Sequence, residues 1–105
     1  MIYDVDKLDI MAERKDGGVE LYIVSTGPLD DSQNTQTLLL DKIQNYLSYI
    51  NSDEFKKEFP NITKDKTWII LKMKEEPSLL IKELCEKVAL WVQDNGANFT
   101  TYIGI

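Results

Sequence analysis

A chain of 105 residues, 43% hydrophobic and 29% charged, has the size and composition of one globular domain with a single modest core. Its lone cysteine, Cys85, excludes an intrachain disulfide, and the lack of histidine removes the commonest general base, the Ser–His and Cys–His pairs and the histidine zinc sites. The formal charge of −6 is concentrated in residues 1–52, with nine acids against four bases; it opposes nucleic-acid phosphate and suits a basic protein surface, or simply keeps the chain in solution.

The opening segment, MIYDVDKLDIM, carries three aspartates where a signal peptide has a basic region followed by an apolar one. No run reaches the ~18 apolar residues of a membrane span, so the expectation is a cytoplasmic protein without membrane contact. The stretch VDKLDIMAERKDGGVELYIVS, Val5–Ser25, reads as a β-hairpin. Leu8, Ile10 and Ala12 alternate with Asp9, Met11 and Glu13, and after Asp16-Gly17-Gly18 the alternation resumes as Val19, Leu21 and Ile23 against Glu20, Tyr22 and Val24. Gly27-Pro28 ends the second strand, since proline cannot donate to a ladder. Asp30, Asp31 or Ser32 is placed to cap a helix whose apolar stripe is Leu39, Ile43, Tyr46, Leu47 and Ile50. That helix breaks at Asn51-Ser52 and resumes as a short turn through Phe55 and Phe59 before Pro60.

KTWIILKM, Lys66–Met73, is apolar on both faces, which predicts an interior strand. A second long helix, capped by Ser78, buries Ile81, Leu84, Cys85, Val88 and Val92 and ends at Asn95-Gly96. NFTTYIGI is a last strand. The reading is a single α+β domain over residues 1–105: a two-layer sandwich in ββαβαβ order, with two helices on one face of a four-stranded mixed or antiparallel sheet. The strand order stays open.

Two helices leave the other sheet face uncovered. With Leu8, Ile10, Leu21, Ile23, Ile69, Leu71, Phe99, Thr101 and Ile103 turned to the helices, Met11, Tyr22, Val24, Trp68, Ile70 and Tyr102 face outwards, rimmed by Glu13, Glu20, Lys72 and Thr100. An exposed aromatic and aliphatic band of this kind marks a contact surface, or else is draped by lysine stems. It suits a homodimer or a protein partner; stacking of single-stranded RNA is the nucleic-acid version, which the acidic balance opposes. A one-residue slip in a strand would invert its face.

The loop holding Asp30 and Asp31 has a sharper alternative. Asp30, Ser32, Asn34 and Asp41 fall at positions one, three, five and twelve of a calcium-loop pattern, but Thr35 stands where glycine belongs and Asp41 where a bidentate glutamate belongs. Capping is the simpler reading, and no metal is assigned. Asp4, Asp6 and Asp9 form a second acidic group, read as a solvated strand edge whose charges discourage wrong pairing. Cys85 lies on an apolar stripe and reads as a small buried hydrophobe. There is no phosphate-binding glycine loop, no carboxylate pair is singled out by spacing, and no cofactor is implied; the balance is against an enzyme.

The segments VDKLDI, VELYIVS, PLDD and LLLDKIQNYLSYINSDEFKKEFP together resemble a family of small bacterial proteins of about 100 residues classed as a domain of unknown function. The resemblance is strongest from Val5 to Pro60. It implies the same α+β architecture and supplies no activity, cofactor or catalytic residue. The functional expectation is a small acidic interaction or homodimerising module that uses the open sheet face. The alternatives are a carboxylate enzyme or divalent-metal binder at Asp30 and Asp31, and an antitoxin-like inhibitor of a basic partner.

Overall fold

The computed structural model describes residues 1, 2, 4 and 6–104 of the chain. The elements run β1 (Ile10–Glu13), β2 (Val19–Ser25), α1 (Gln33–Ile50), α2 (Asp53–Glu58), a 3-10 turn (Lys64–Lys66), β3 (Thr67–Met73), α3 (Leu79–Asp94) and β4 (Asn98–Ile103). The strands lie in sequence order; β1 is antiparallel to β2, while β2, β3 and β4 are parallel. The mixed sheet and α+β class agree with the sequence reading, and the predicted short turn after Ser52 is the additional helix α2. Val5 of the predicted hairpin and Ile105 of the predicted last strand lie outside the described residues.

Each helix starts where its cap dictates. Ser32, Ser52 and Ser78 hold extended backbone, and their hydroxyls accept from the N–H groups of Thr35, Phe55 and Ile81. Gly96, at φ 98°, makes the turn after α3, a conformation that glycine adopts without steric cost. Val19, Leu21 and Ile23 of β2, with Ile69, Leu71 and Met73 of β3, pack against Leu39, Ile43, Tyr46, Leu47 and Ile50 of α1 and Ile81, Val88 and Val92 of α3. The helices therefore cover one face. β3 is an inner strand flanked by parallel neighbours, as its two apolar sides require.

β1 departs from expectation. Arg14 N–H donates to Gly18 O and Gly17 N–H to Arg14 O, with Gly17 at φ 87°. This is a three-residue loop, Lys15-Asp16-Gly17, with a glycine bulge. An odd loop sets Ile10 opposite Tyr22 and Met11 opposite Leu21. Met11 thus lies on the helix side of the sheet, not the open side, and Glu13, opposite Val19, goes with it. Ile10 takes the open side and is 51% exposed; it does not face the helices. Closing the hairpin on a two-residue turn would have inverted every one of these positions. Gly18 has a packing reason as well: a Cβ there would stand 2.7 Å from Lys66 O.

The segment before β1 is not an extended edge. Asp4 N–H bonds to Met1 O and Lys7 N–H to Asp4 O, so the chain turns. Leu8 precedes the strand and is exposed. Thr101 and Ile103 fall on the helix side of β4, where they line an open groove beside α3, and both are exposed.

Candidate functional site

The β2–β3 and β3–β4 registers build the open face. Glu20 is beside Trp68, Tyr22 beside Ile70, and Val24 beside Lys72; Ile70 is beside Thr100, and Lys72 beside Tyr102. With Ile10 opposite Tyr22, the face presents Ile10, Tyr22, Val24, Trp68, Ile70 and Tyr102. Five of the six expected residues are there, and Ile10 replaces Met11. Tyr102 is 56% exposed, whereas Ile70, at the centre, is buried by its neighbours.

Charged side chains organise the rings. The Arg14 guanidinium lies 5.5 Å from the centre of the Trp68 ring. Glu20 holds it there, accepting from Arg14 Nη2 at 2.9 Å and Nε at 3.0 Å. Glu20 Oε1 accepts from the Tyr22 hydroxyl at 3.0 Å. Lys72 Nζ sits between two rings, 5.9 Å from Tyr22 and 5.6 Å from Tyr102. Burial, together with the hydrogen bond and charge of Glu20, raises the Tyr22 phenol above its ordinary value. Among the described residues, Trp68 Nε1 is a buried side-chain donor without a hydrogen-bond partner. Such an orphan costs roughly 1–3 kcal/mol. The face can therefore offer aromatic surface and two cations, Arg14 and Lys72, against one acid, Glu20.

Asp30 and Asp31 are exposed, but their carboxylates are engaged by neighbouring side chains and backbone. Asp30 Oδ1 accepts from Ser32 N–H at 3.0 Å and from the Thr35 hydroxyl at 2.6 Å. Those hydroxyl and amide bonds hold its carboxyl below the ordinary value. Asp31 accepts from the Ser78 hydroxyl at 2.5 Å, joining the N-terminus of α1 to that of α3. Helix begins at Gln33, so Asn34 and Asp41 project from α1 rather than from a loop. Among the described residues no three His, Cys, Asp or Glu side chains converge as a metal site.

Asp9 does not stand at a solvated edge. Its Oδ1 accepts from Lys42 Nζ at 2.9 Å and from the N-terminal ammonium, and its Oδ2 from Val24 N–H at 2.9 Å. Lys42 Nζ also donates to Asp4 O and Lys7 O, each at 2.6 Å, so three acceptors surround the ammonium. Burial alone would raise the Asp9 carboxyl; the hydrogen bonds from the ammonium, Val24 and Lys42, with the Lys42 charge, outweigh it and the net shift is downward. Tyr46 completes the cluster, accepting from Asp9 N–H and donating to Tyr22 O. Lys42 went unmarked in the sequence because it is a lysine, yet its spacing to Leu39 and Tyr46 puts it on the buried stripe.

Cys85 is buried and its thiol is pushed up to about 11 by desolvation, which suppresses the thiolate. It forms part of a groove of about 370 Å³ between α3 and β4, with Pro77, Ala89, Phe99, Thr101 and Ile103. Among the described residues, no helix is long and apolar enough to cross a membrane.

The family model of unknown function DUF6572 matches residues 1–104, and the chain belongs to that family. No curated protein and no solved structure matches it.

Proposed function

We propose that this member of a family of unknown function is a protein-interaction module whose contact surface is the open face of its sheet. The observation that carries the reading is the band of Ile10, Tyr22, Trp68, Ile70 and Tyr102 on the one sheet face that has no helix over it. Water on an open sheet face ordinarily meets polar side chains; here it meets rings held in place by Arg14, Glu20 and Lys72. Tyr and Trp lose little entropy on docking and bury large areas, which makes them efficient anchors. The complementary partner presents an apolar ridge to the rings and a carboxylate to Lys72.

This composition separates the reading from its rivals. An acidic inhibitor of a basic target would meet its partner through carboxylates, but the face carries two cations and a single acid. Single-stranded nucleic acid would stack on the rings, but Arg14 is already paired with Glu20 and the chain as a whole carries −6. A carboxylate site at Asp30 and Asp31 has to compete with the bonds those groups make to Ser32, Thr35 and Ser78.

The test is comparative affinity isolation from cells in which the protein is native. Wild type is set against Ile10→Glu/Tyr22→Glu and against Lys57→Glu on α2, with folding checked by circular dichroism. A protein retained by wild type and Lys57→Glu and lost with the face variant supports the reading. Equal retention by all three overturns it.

A further inference from the structure

We propose that β4 is a self-pairing edge, through which two copies of this chain join their sheets antiparallel into one continuous sheet. The two edges of the sheet differ in their protection. β1 has only four residues and ends in the exposed Glu13, and a short edge closed by a charge discourages pairing. β4 is Asn-Phe-Thr-Thr-Tyr-Ile and, among the strands of the described residues, is the one without a charged residue; the sequence from Asn95 to Ile105 has no charged side chain. It has no proline, and it pairs on one side only, with β3. A flat, uncharged, unpaired edge is a template for another strand unless something covers it.

The backbone fixes which groups are free. Gly104 N–H donates to Met73 O at 2.8 Å, so the even-numbered positions of β4 turn their peptide groups towards β3. Phe99, Thr101 and Ile103 then turn their N–H and C=O groups outwards. Placed on a two-fold axis at Thr101, these three residues meet their own equivalents: Thr101 faces Thr101 of the second copy, and Phe99 faces its Ile103. All six outward N–H groups find acceptors in that register.

The side chains agree with it. On the helix side the Phe99–Ile103 pairs close the mouth of the groove beside Cys85 and Ala89, which otherwise leaves Ile103 42% exposed. On the open side Thr100 faces Tyr102. Pairs of an aromatic with an aliphatic or β-branched residue are among the favourable cross-strand combinations. Self-complementarity argues for a second copy as the occupant. About an axis at Thr101 the strand meets itself with Phe99 against Ile103 and Thr100 against Tyr102, and no charged residue of a strand opposes another, so the repulsion between two chains of −6 is not concentrated at the seam. The inference is independent of the open-face reading, although the pairing would also join two such faces edge to edge.

Sedimentation velocity on the full chain across a concentration series tests it. Wild type is expected as a dimer. Thr101→Pro removes an outward N–H without costing an internal bond, and Thr101→Lys sets like charges at the axis; both are expected to be folded monomers. Register is read by cross-linking. Thr101→Cys in a Cys85→Ala background is expected to oxidise to a disulfide dimer, because hydrogen-bonded antiparallel partners stand ~5.5 Å apart at Cα, within disulfide range. Thr100→Cys in the same background is expected to stay reduced. A dimer that persists in Ile10→Glu/Tyr22→Glu keeps this inference apart from the open-face reading. Monomeric wild type, a dimer that survives both Thr101 changes, or equal cross-linking from positions 100 and 101 would overturn it.

Discussion

Lys42 Nζ stands 2.9 Å from Asp9 Oδ1 with both side chains out of water, the lysine fully buried and the aspartate 5% exposed. The ion pair ties the N-terminal segment to α1, and the Asp9–Val24 bond carries it on to β2. Removing Lys42 leaves Asp9 with the N-terminal ammonium and Val24 N–H but takes the donor from the Asp4 and Lys7 carbonyls, and an acceptor left unsatisfied typically costs about 1–3 kcal/mol. Lys42→Met is therefore expected to lose stability in that range by urea denaturation. Lys42→Met combined with Asp9→Asn is expected to lose less than the sum of the two single changes. Additive losses would mean that the pair is not coupled.

The same carboxylate sets an acid limit. A carboxyl held below its ordinary value of about 3.8 in the fold contributes stability above that value and loses it as pH falls through the folded value. Wild type is expected to lose melting temperature more steeply than Asp9→Asn as pH is lowered from 5 towards about 2.5. Parallel curves would contradict the assignment.

The hairpin register has its own check. Ile10 is on the open side and half exposed, so Ile10→Lys is expected to change stability by no more than about 1 kcal/mol. Leu21, in the core, is expected to cost about 2–5 kcal/mol as Leu21→Ala. A large loss at Ile10 in equilibrium unfolding would return that residue to the helix side.

Cys85 gives a chemical reading of the same packing. Its buried thiol, at about 11, is expected to resist a thiol reagent such as dithionitrobenzoate in the folded protein at pH 7.5 and to react promptly in urea. Prompt native reaction would mean that the floor of the α3–β4 groove opens.

Much of the fold was legible because its signals are local. The Ser78 cap, the break at Asn51-Ser52, the glycine after α3, the proline after Phe59 and the double-sided apolarity of Ile69, Ile70 and Leu71 each act within a few residues, while the choice of Ser32 over Asp30 and Asp31 as the cap of α1 came only with the structure. The face of β1 was not legible. It turns on whether the loop after Arg14 holds two residues or three, a difference in loop geometry that leaves the alternation on either side unchanged. Lys42 and Asp9 were hidden for another reason: each looks solvated until its partner, 33 positions away, is brought beside it. The same holds for Asp31, whose hydrogen-bond partner Ser78 lies 47 positions on.

The central claim, that the ring-bearing sheet face is where another protein docks, is tested most directly by photocross-linking in the native cell. A benzophenone amino acid is placed at Tyr22, at Ile10 or, as a control, at Lys57. Adducts to one protein species from positions 22 and 10 and none from 57 are predicted. No adduct from the face, or the same adducts from all three positions, would contradict the account.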